Sequence, residues 1–178
     1  AQGVRAGVRR PGRICRLDAD DGNGIEPIFD SPERVVMLPP FIDSRPGRRA
    51  AANRARHRAA LSQQLGIPAT DTWVAVSAMM RPGDKLESYR VMGRAMQQLQ
   101  DLPLRWLVAG DGAARQDVET ALRSDRVSYL GLLDRKGMDM LHTAADFAVW
   151  PAIREAFGMA LLEAQAAGLP VMAGRLAG

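Results

Sequence analysis

This sequence is poor in the residues that staple small secreted domains or carry metal chemistry. A single cysteine, Cys15, excludes an intramolecular disulfide and fits a reducing compartment. The two histidines, His57 and His142, lie far apart, with no second Cys or His at ligand spacing, so nothing points to a zinc site. His142 is expected on a helix, as a structural residue with its polar atoms satisfied. No apolar run approaches the roughly 20 residues that a membrane-spanning helix needs. The opening "AQGVRAGVRRPGRICRL" lacks the apolar stretch of a signal peptide and does not start with Met, as expected of a segment of a longer chain. The default compartment is the cytoplasm. Acids are absent between Ser44 and Thr70, where "RPGRRAAANRARHRA" carries Arg45, Arg48, Arg49, Arg54, Arg56 and Arg58. Such a run is either a solvated helix face or a contact for an anionic partner. Aromatics do not interleave with it, which argues against stacking on bases, and no nucleic acid is expected. Peripheral contact with the inner face of a membrane stays open.

What is present describes a globular α/β chain. Its 178 residues are 47% hydrophobic and 25% charged, enough for one sizeable core. Residues 1 to 33 are rich in Gly, Pro, Arg and Asp without sustained periodicity, and read as a linker or irregular segment. From residue 34 strands and helices alternate. Apolar strand patterns occupy residues 72–80, 104–110, 126–131 and 146–151, with "PVMAG" beginning another. Helical patterns cover residues 53–65, 86–99, 111–124, 134–144 and 157–167, with Asp134 as an N-cap and Gly66 and Gly168 as stops. Strands alternating with helices of this length predict a doubly wound, Rossmann-like parallel sheet over residues 34–178. Ligands of such sheets bind where strand ends lead into helices. That selects the turns at residues 79–86, 110–113, 131–134 and 151–158.

The last of these turns opens "REAFGMALLEAQAAGLPVMAG", in which Glu155 and Glu163 stand eight positions apart on an apolar background. Helix amides after Phe157-Gly158 suit a phosphate, and Gly158 permits close backbone approach. Glu155 beside such an anion makes best sense as an acceptor for hydroxyls carried by the ligand. A buried Glu163 would need a partner, which vicinal ribose hydroxyls would supply; an exposed one would need none. "DAD" at Asp18 to Asp20 imitates a metal motif in an irregular region, and "GDGAAR" lacks the third glycine of a dinucleotide fingerprint.

"EAFGMALLEAQAAGLPVMA" resembles the E-x7-E signature of the retaining group 1 (family four) glycosyltransferases, which have the GT-B fold. "VVMLPPFID", "VSAMMRPGDK", "LVAGDGAARQDVETAL" and "VSYLGLLDRKGMDMLHTAADFAVWPAIREAFG" resemble further blocks of that family in the same order. The similarity runs from about residue 35 to 174. It implies the C-terminal, nucleotide-sugar-binding half of a GT-B fold, incomplete at its C-terminus. It further implies a hexosyltransferase that uses a UDP- or GDP-sugar and needs no cofactor or metal. By position, Arg81 and Lys85 match the basic pair at the donor diphosphate. Glu155 matches the ligand of donor-sugar hydroxyls, with Phe157, Gly158 and Met159 as backbone donors beside it. Glu163 matches the ribose ligand, Gly110 and Gly112 the turn lining the cleft, and Leu132, within residues 130–133, the loop that holds the base. Ala152 and Ala156 replace the Ser and Gly usual at those positions, and Leu86 replaces the Gly after Lys85, which leaves donor identity open. The acceptor, whether glycan, lipid or small molecule, is expected to bind an N-terminal domain not contained in the chain, so the fragment alone is expected to be inactive. The rival reading is a non-catalytic anion-binding module, for nucleic acid or anionic lipid, built on the arginines of residues 45–58.

Overall fold

The computed structural model describes residues 14–16, 35–155 and 158–174. The chain divides into two compact units, with the division between Phe41 and Ile42. In the first unit, β1 (Ile14–Arg16) pairs in parallel with β2 (Val35–Met37). The N-terminal stretch read as irregular therefore contributes a strand. β2, which falls within the 34–178 span assigned to the main domain, takes its partner from that stretch. The Asp18–Asp20 motif lies outside the described residues.

The second unit runs α1 (Arg45–Ala51), α2 (Arg54–Leu65), β3 (Thr72–Ser77), α3 (Asp84–Gln98), β4 (Leu104–Ala109), α4 (Arg115–Ala121), β5 (Val127–Gly131), α5 (Arg135–Ala144), β6 (Phe147–Trp150), α6 (Met159–Ala166) and β7 (Val171–Ala173). Its five strands form one parallel sheet in the order β5-β4-β3-β6-β7. This is the doubly wound architecture that the alternating pattern predicts.

Side chains on a strand alternate between faces, and the central strands use both. Val74 and Val76 of β3 join Trp106 and Val108 of β4 on one face, against Tyr89, Met92 and Met96 of α3 and Val118 of α4. Trp73, Ala75, Leu107 and Ala109 point the other way, against Leu61 of α2, Leu141 and Ala144 of α5 and Ala164 of α6. Leu86, Tyr89, Met92, Gly93 and Met96 of α3 are buried at helical spacing and make one apolar stripe, with Ser88 buried beside it. Asp134 caps α5, with its Oδ1 accepting from the Gly137 amide at 2.8 Å. Helix α6 ends in a Schellman turn, as the placement of Gly168 predicts. Gly168 has φ 80°, and the Leu169 amide donates to the Ala164 carbonyl at 3.0 Å.

Four of the arginines between residues 45 and 58 are already engaged. Arg45 grips Asp43 and Arg48 donates to Ser44. Arg54 donates to the Thr143 carbonyl and pairs with Asp146. Arg58 donates to the carbonyls of Ala69 and Ala144, and its guanidinium lies 4.3 Å from the centre of the Trp73 ring. Arg54 and Arg58 thus tie α2 to the turn between α5 and β6, through the carbonyls of Thr143, Ala144 and Ala145 and the carboxylate of Asp146.

Candidate functional site

Chain order reverses between β3 and β6. β4 and β5 extend the sheet on one side of β3, while β6 and β7 extend it on the other. The loops leaving these two strands lead into different helices, and ligands of doubly wound sheets bind at the carboxyl ends of such strands. Lys85, in the first turn of α3, and Glu155, in the loop after β6, meet there as an ion pair. Nζ donates to Oε2, and the indole Nε1 of Trp150 donates to the same oxygen at 3.1 Å. Lys85 Nζ also lies 5.5 Å from the centre of the Trp150 ring. Burial pushes the Glu155 carboxyl up, but the Lys85 ammonium, the Trp150 N–H and the Gly158 amide outweigh it and hold the group below its ordinary range. Glu155 is therefore charged and triply supported.

Two further links fasten the Glu155 loop to α3. Ser88 Oγ accepts from the Ile153 amide at 3.2 Å, and Arg154 pairs with Asp84 at 3.0 Å. In that loop Ala152 and Arg154 adopt φ of 58° and 45°, left-handed conformations that non-glycine residues hold only when their surroundings impose them. Beneath it, Trp150 packs edge-on against Tyr89, with ring centres 5.0 Å apart. The Tyr89 hydroxyl donates to the Ala78 carbonyl at 2.8 Å, and burial pushes its pKa up, so it stays a neutral donor.

Gly110 and Gly112 lie where the β4–α4 loop crosses the β3–α3 loop. A Cβ on Gly110 would fall 2.0 Å from the Ala78 carbonyl oxygen, and one on Gly112 would fall 2.4 Å from that of Met80. Both have positive φ, 137° and 150°. Their visible work is to let two backbones touch. The Met80 amide donates to the Asp111 carbonyl and the Ala114 amide to the Met80 carbonyl, each at 2.9 Å. This contact fixes the loop that leads into Arg81 and Lys85. Arg81 is exposed on that loop, without an ion-pair partner among the described residues.

The remaining predicted residues are placed differently. Gly158 caps α6 with φ 58°, and its amide donates to Glu155, so the anion seated at this helix end is Glu155 itself. Helix α6 begins at Met159, two residues later than the sequence pattern predicts; Phe157 lies outside the described residues. Glu163 is exposed, so burial does not demand a partner for it. It lines a 190 Å³ cavity with Leu133, Asp134 and His142, and none of the described contacts joins it to Glu155. Leu132 projects outward, 67% exposed. His142 corrects an expectation: it is buried, its Nε2 has no partner among the described residues, and burial pushes its pKa down to about 4. Trp150 escaped the sequence reading altogether. The signal was there, since a tryptophan ending a buried strand must find a partner for its N–H.

The described residues hold no group of three or more His, Cys, Asp or Glu side chains placed to bind a metal. No described helix is long and apolar enough to cross a membrane.

An ion pair at the switch point of a doubly wound sheet stands where proteins of this architecture bind their ligands. Comparison with known proteins narrows this. The sequence profile of glycosyl transferases group 1 matches residues 71–178. The D-inositol 3-phosphate glycosyltransferase of Mycobacterium sp. (strain KMS) is 33% identical over 159 residues, covering 83% of this chain and 33% of that protein. Among solved structures, a glycosyltransferase from Rickettsia africae ESF-5 superposes with a TM-score of 0.79 at 15% identity, over 100% of this chain and 49% of that one. The catalytic domain of starch synthase IV from Arabidopsis thaliana, bound to ADP and acarbose, superposes with a TM-score of 0.74 at 16% identity, over 96% and 41%. The chain belongs to the group 1 glycosyltransferases and has the Rossmann-like fold of the C-terminal half of a GT-B protein. It spans about a third of the length of the curated relatives it matches.

Proposed function

We propose that this domain binds a nucleotide diphosphate sugar, and that the intact enzyme transfers its hexose to an acceptor hydroxyl with retention of anomeric configuration. The observation that carries the reading is the Lys85–Glu155 pair supported by Trp150 at the switch point. Donor binding is then an exchange. The diphosphate takes Lys85, and with it the α6 amides, from Glu155, and Arg81 adds a second cation from the same loop. Glu155, released from Lys85 but still held by Trp150, accepts from the hydroxyls of the sugar. Negative charge developing on the departing diphosphate is met by fixed cations and helix amides. Glu163, exposed on α6, accepts from the ribose. The nucleotides proposed are UDP and GDP, and the compartment proposed is the cytoplasm. Transfer itself requires the acceptor-binding part of the intact protein.

A thermal-shift panel of UDP, GDP and ADP tests this reading. Saturable stabilisation by at least one nucleotide, abolished by Lys85→Ala and weakened by Glu163→Ala, is expected. No stabilisation by any of the three would remove the donor-binding assignment.

A further inference from the structure

Of the six arginines between residues 45 and 58, the fold engages four, and the side chains of two make neither a hydrogen bond nor an ion pair among the described residues: Arg49 on α1 and Arg56 on α2. The tertiary structure brings a third cation to them. Lys136, in the first turn of α5, lines the same open cleft of 530 Å³ between α1, α2 and α5. The apolar floor between these cations is the part of the lining made by Pro46, Ala50, Ala60 and Met140. The other titratable groups facing it do not cancel the charge. Asp139 is committed to Arg135 at 3.6 Å, and His57 is held through Nδ1 by Thr143 Oγ1 at 2.6 Å.

We infer that this cleft is a docking surface for an anionic phospholipid bilayer. Three exposed cations around an apolar floor complement an amphiphile whose phosphate sits beside apolar glycerol and acyl groups. A nucleic acid would use the charge but leave the apolar residues idle; the cleft lining holds no Phe, Tyr or Trp to stack on a base, and its one imidazole, His57, is held by Thr143. A free phosphate ion would need donors converging on one point, whereas these three come from three helices across an open cleft. The inference is independent of the donor site, because none of the cleft residues touches Lys85 or Glu155 in the described contacts.

The test is co-sedimentation of the 178-residue chain with vesicles of phosphatidylglycerol and phosphatidylcholine, against vesicles of phosphatidylcholine alone. Binding only to the anionic vesicles is expected, weakening as salt is raised. The triple variant Arg49→Gln, Arg56→Gln, Lys136→Gln should bind about a hundredfold more weakly, since each cation near an anionic surface contributes several-fold. The variant Arg90→Gln, Arg94→Gln, Arg123→Gln removes the same charge from elsewhere and should bind as the parent does. Ala60→Asp, which puts an acid on the floor, should abolish binding by itself. All four proteins are first matched for thermal unfolding. Equal loss in both triple variants would reduce the effect to net charge and overturn the inference. No loss in the first triple variant would overturn it too, as would displacement by millimolar inorganic phosphate. Binding of a short DNA duplex in preference to vesicles would assign the cleft to another partner and likewise overturn it.

Discussion

The indole Nε1 of Trp150 donates to Glu155 Oε2 at 3.1 Å, while the same ring, 4% exposed, packs edge-on against Tyr89. One side chain thus joins the core to the site carboxylate. Trp150→Phe keeps an aromatic ring against Tyr89 but removes the donor to a charged oxygen. We expect a stability loss of roughly 2–4 kcal/mol, from the lost charge-assisted bond and the volume left empty. Urea unfolding of the variant measures it.

Glu155 holds Lys85 and the Gly158 amide, so it competes with any phosphate for both. Glu155→Gln should therefore bind UDP or GDP more tightly, by roughly tenfold, the equivalent of one charge-assisted hydrogen bond. It should also lose whatever extra affinity the sugar moiety confers. Calorimetric titration with nucleotide diphosphate and nucleotide sugar, side by side, separates the two effects. Weaker binding of both ligands would remove the exchange from the proposed binding step.

Acid should act in two separable windows. His142 titrates near 6.5 when unfolded but only near 4 in the native chain, because burial disfavours the charged ring. Its contribution is complete above pH 6.5 and declines as pH falls toward 4, by up to about 3 kcal/mol. Glu155 has the carboxylate sign: its pairing is intact above the ordinary value of 4.5 and is lost as pH falls through the lowered native value. His142→Leu should flatten the first window and Lys85→Met the second, in melting temperatures recorded from neutral pH downward. His142→Leu should also raise stability at neutral pH by about 1 kcal/mol, since it removes an orphaned polar atom.

Arginines two positions apart should behave differently. Arg58→Ala removes donors to the carbonyls of Ala69 and Ala144 and the stack on Trp73, and should cost roughly 2–4 kcal/mol. Arg56→Ala, with no partner among the described residues, should stay within about 0.5 kcal/mol of the parent. Thermal unfolding of the two single variants decides it.

Gly110→Ala should be among the most damaging single changes in the loops. The new Cβ meets the Ala78 carbonyl at 2.0 Å, and φ of 137° is unfavourable for any L side chain. A loss of at least about 2 kcal/mol is expected by chemical unfolding.

Much of the fold was legible because local signals agree. Apolar runs such as residues 72–77 and 104–109 are too continuous for a half-exposed sheet. The helices between them carry caps at the predicted places: Asp134, Gly66 and Gly168. Boundaries moved by a residue or two, as at α3, which begins at Asp84 where residue 86 was expected. The strand at Ile14–Arg16 was not legible, since a three-residue strand carries no periodicity and is defined by its partner. The arginine run illustrates the same limit. Charge spacing shows six like side chains, and only packing against residues 143–146 makes Arg54 and Arg58 structural while Arg49 and Arg56 have no partner among the described residues.

By itself, then, the sequence determined the order of strands and helices from α2 to β7, the turns where a ligand could bind and the family to which the chain belongs. All three follow from local periodicity, capping and short motifs, which need no knowledge of distant contacts. The tertiary structure decided which charges meet. Lys85 and Glu155 are seventy positions apart and become partners only because strand order reverses between β3 and β6. The same kind of contact engages Glu155 with Lys85, Trp150 and the Gly158 amide, and leaves Glu163 exposed on α6. Pairing and burial are sums over neighbours from the whole chain, and spacing along the sequence does not contain them.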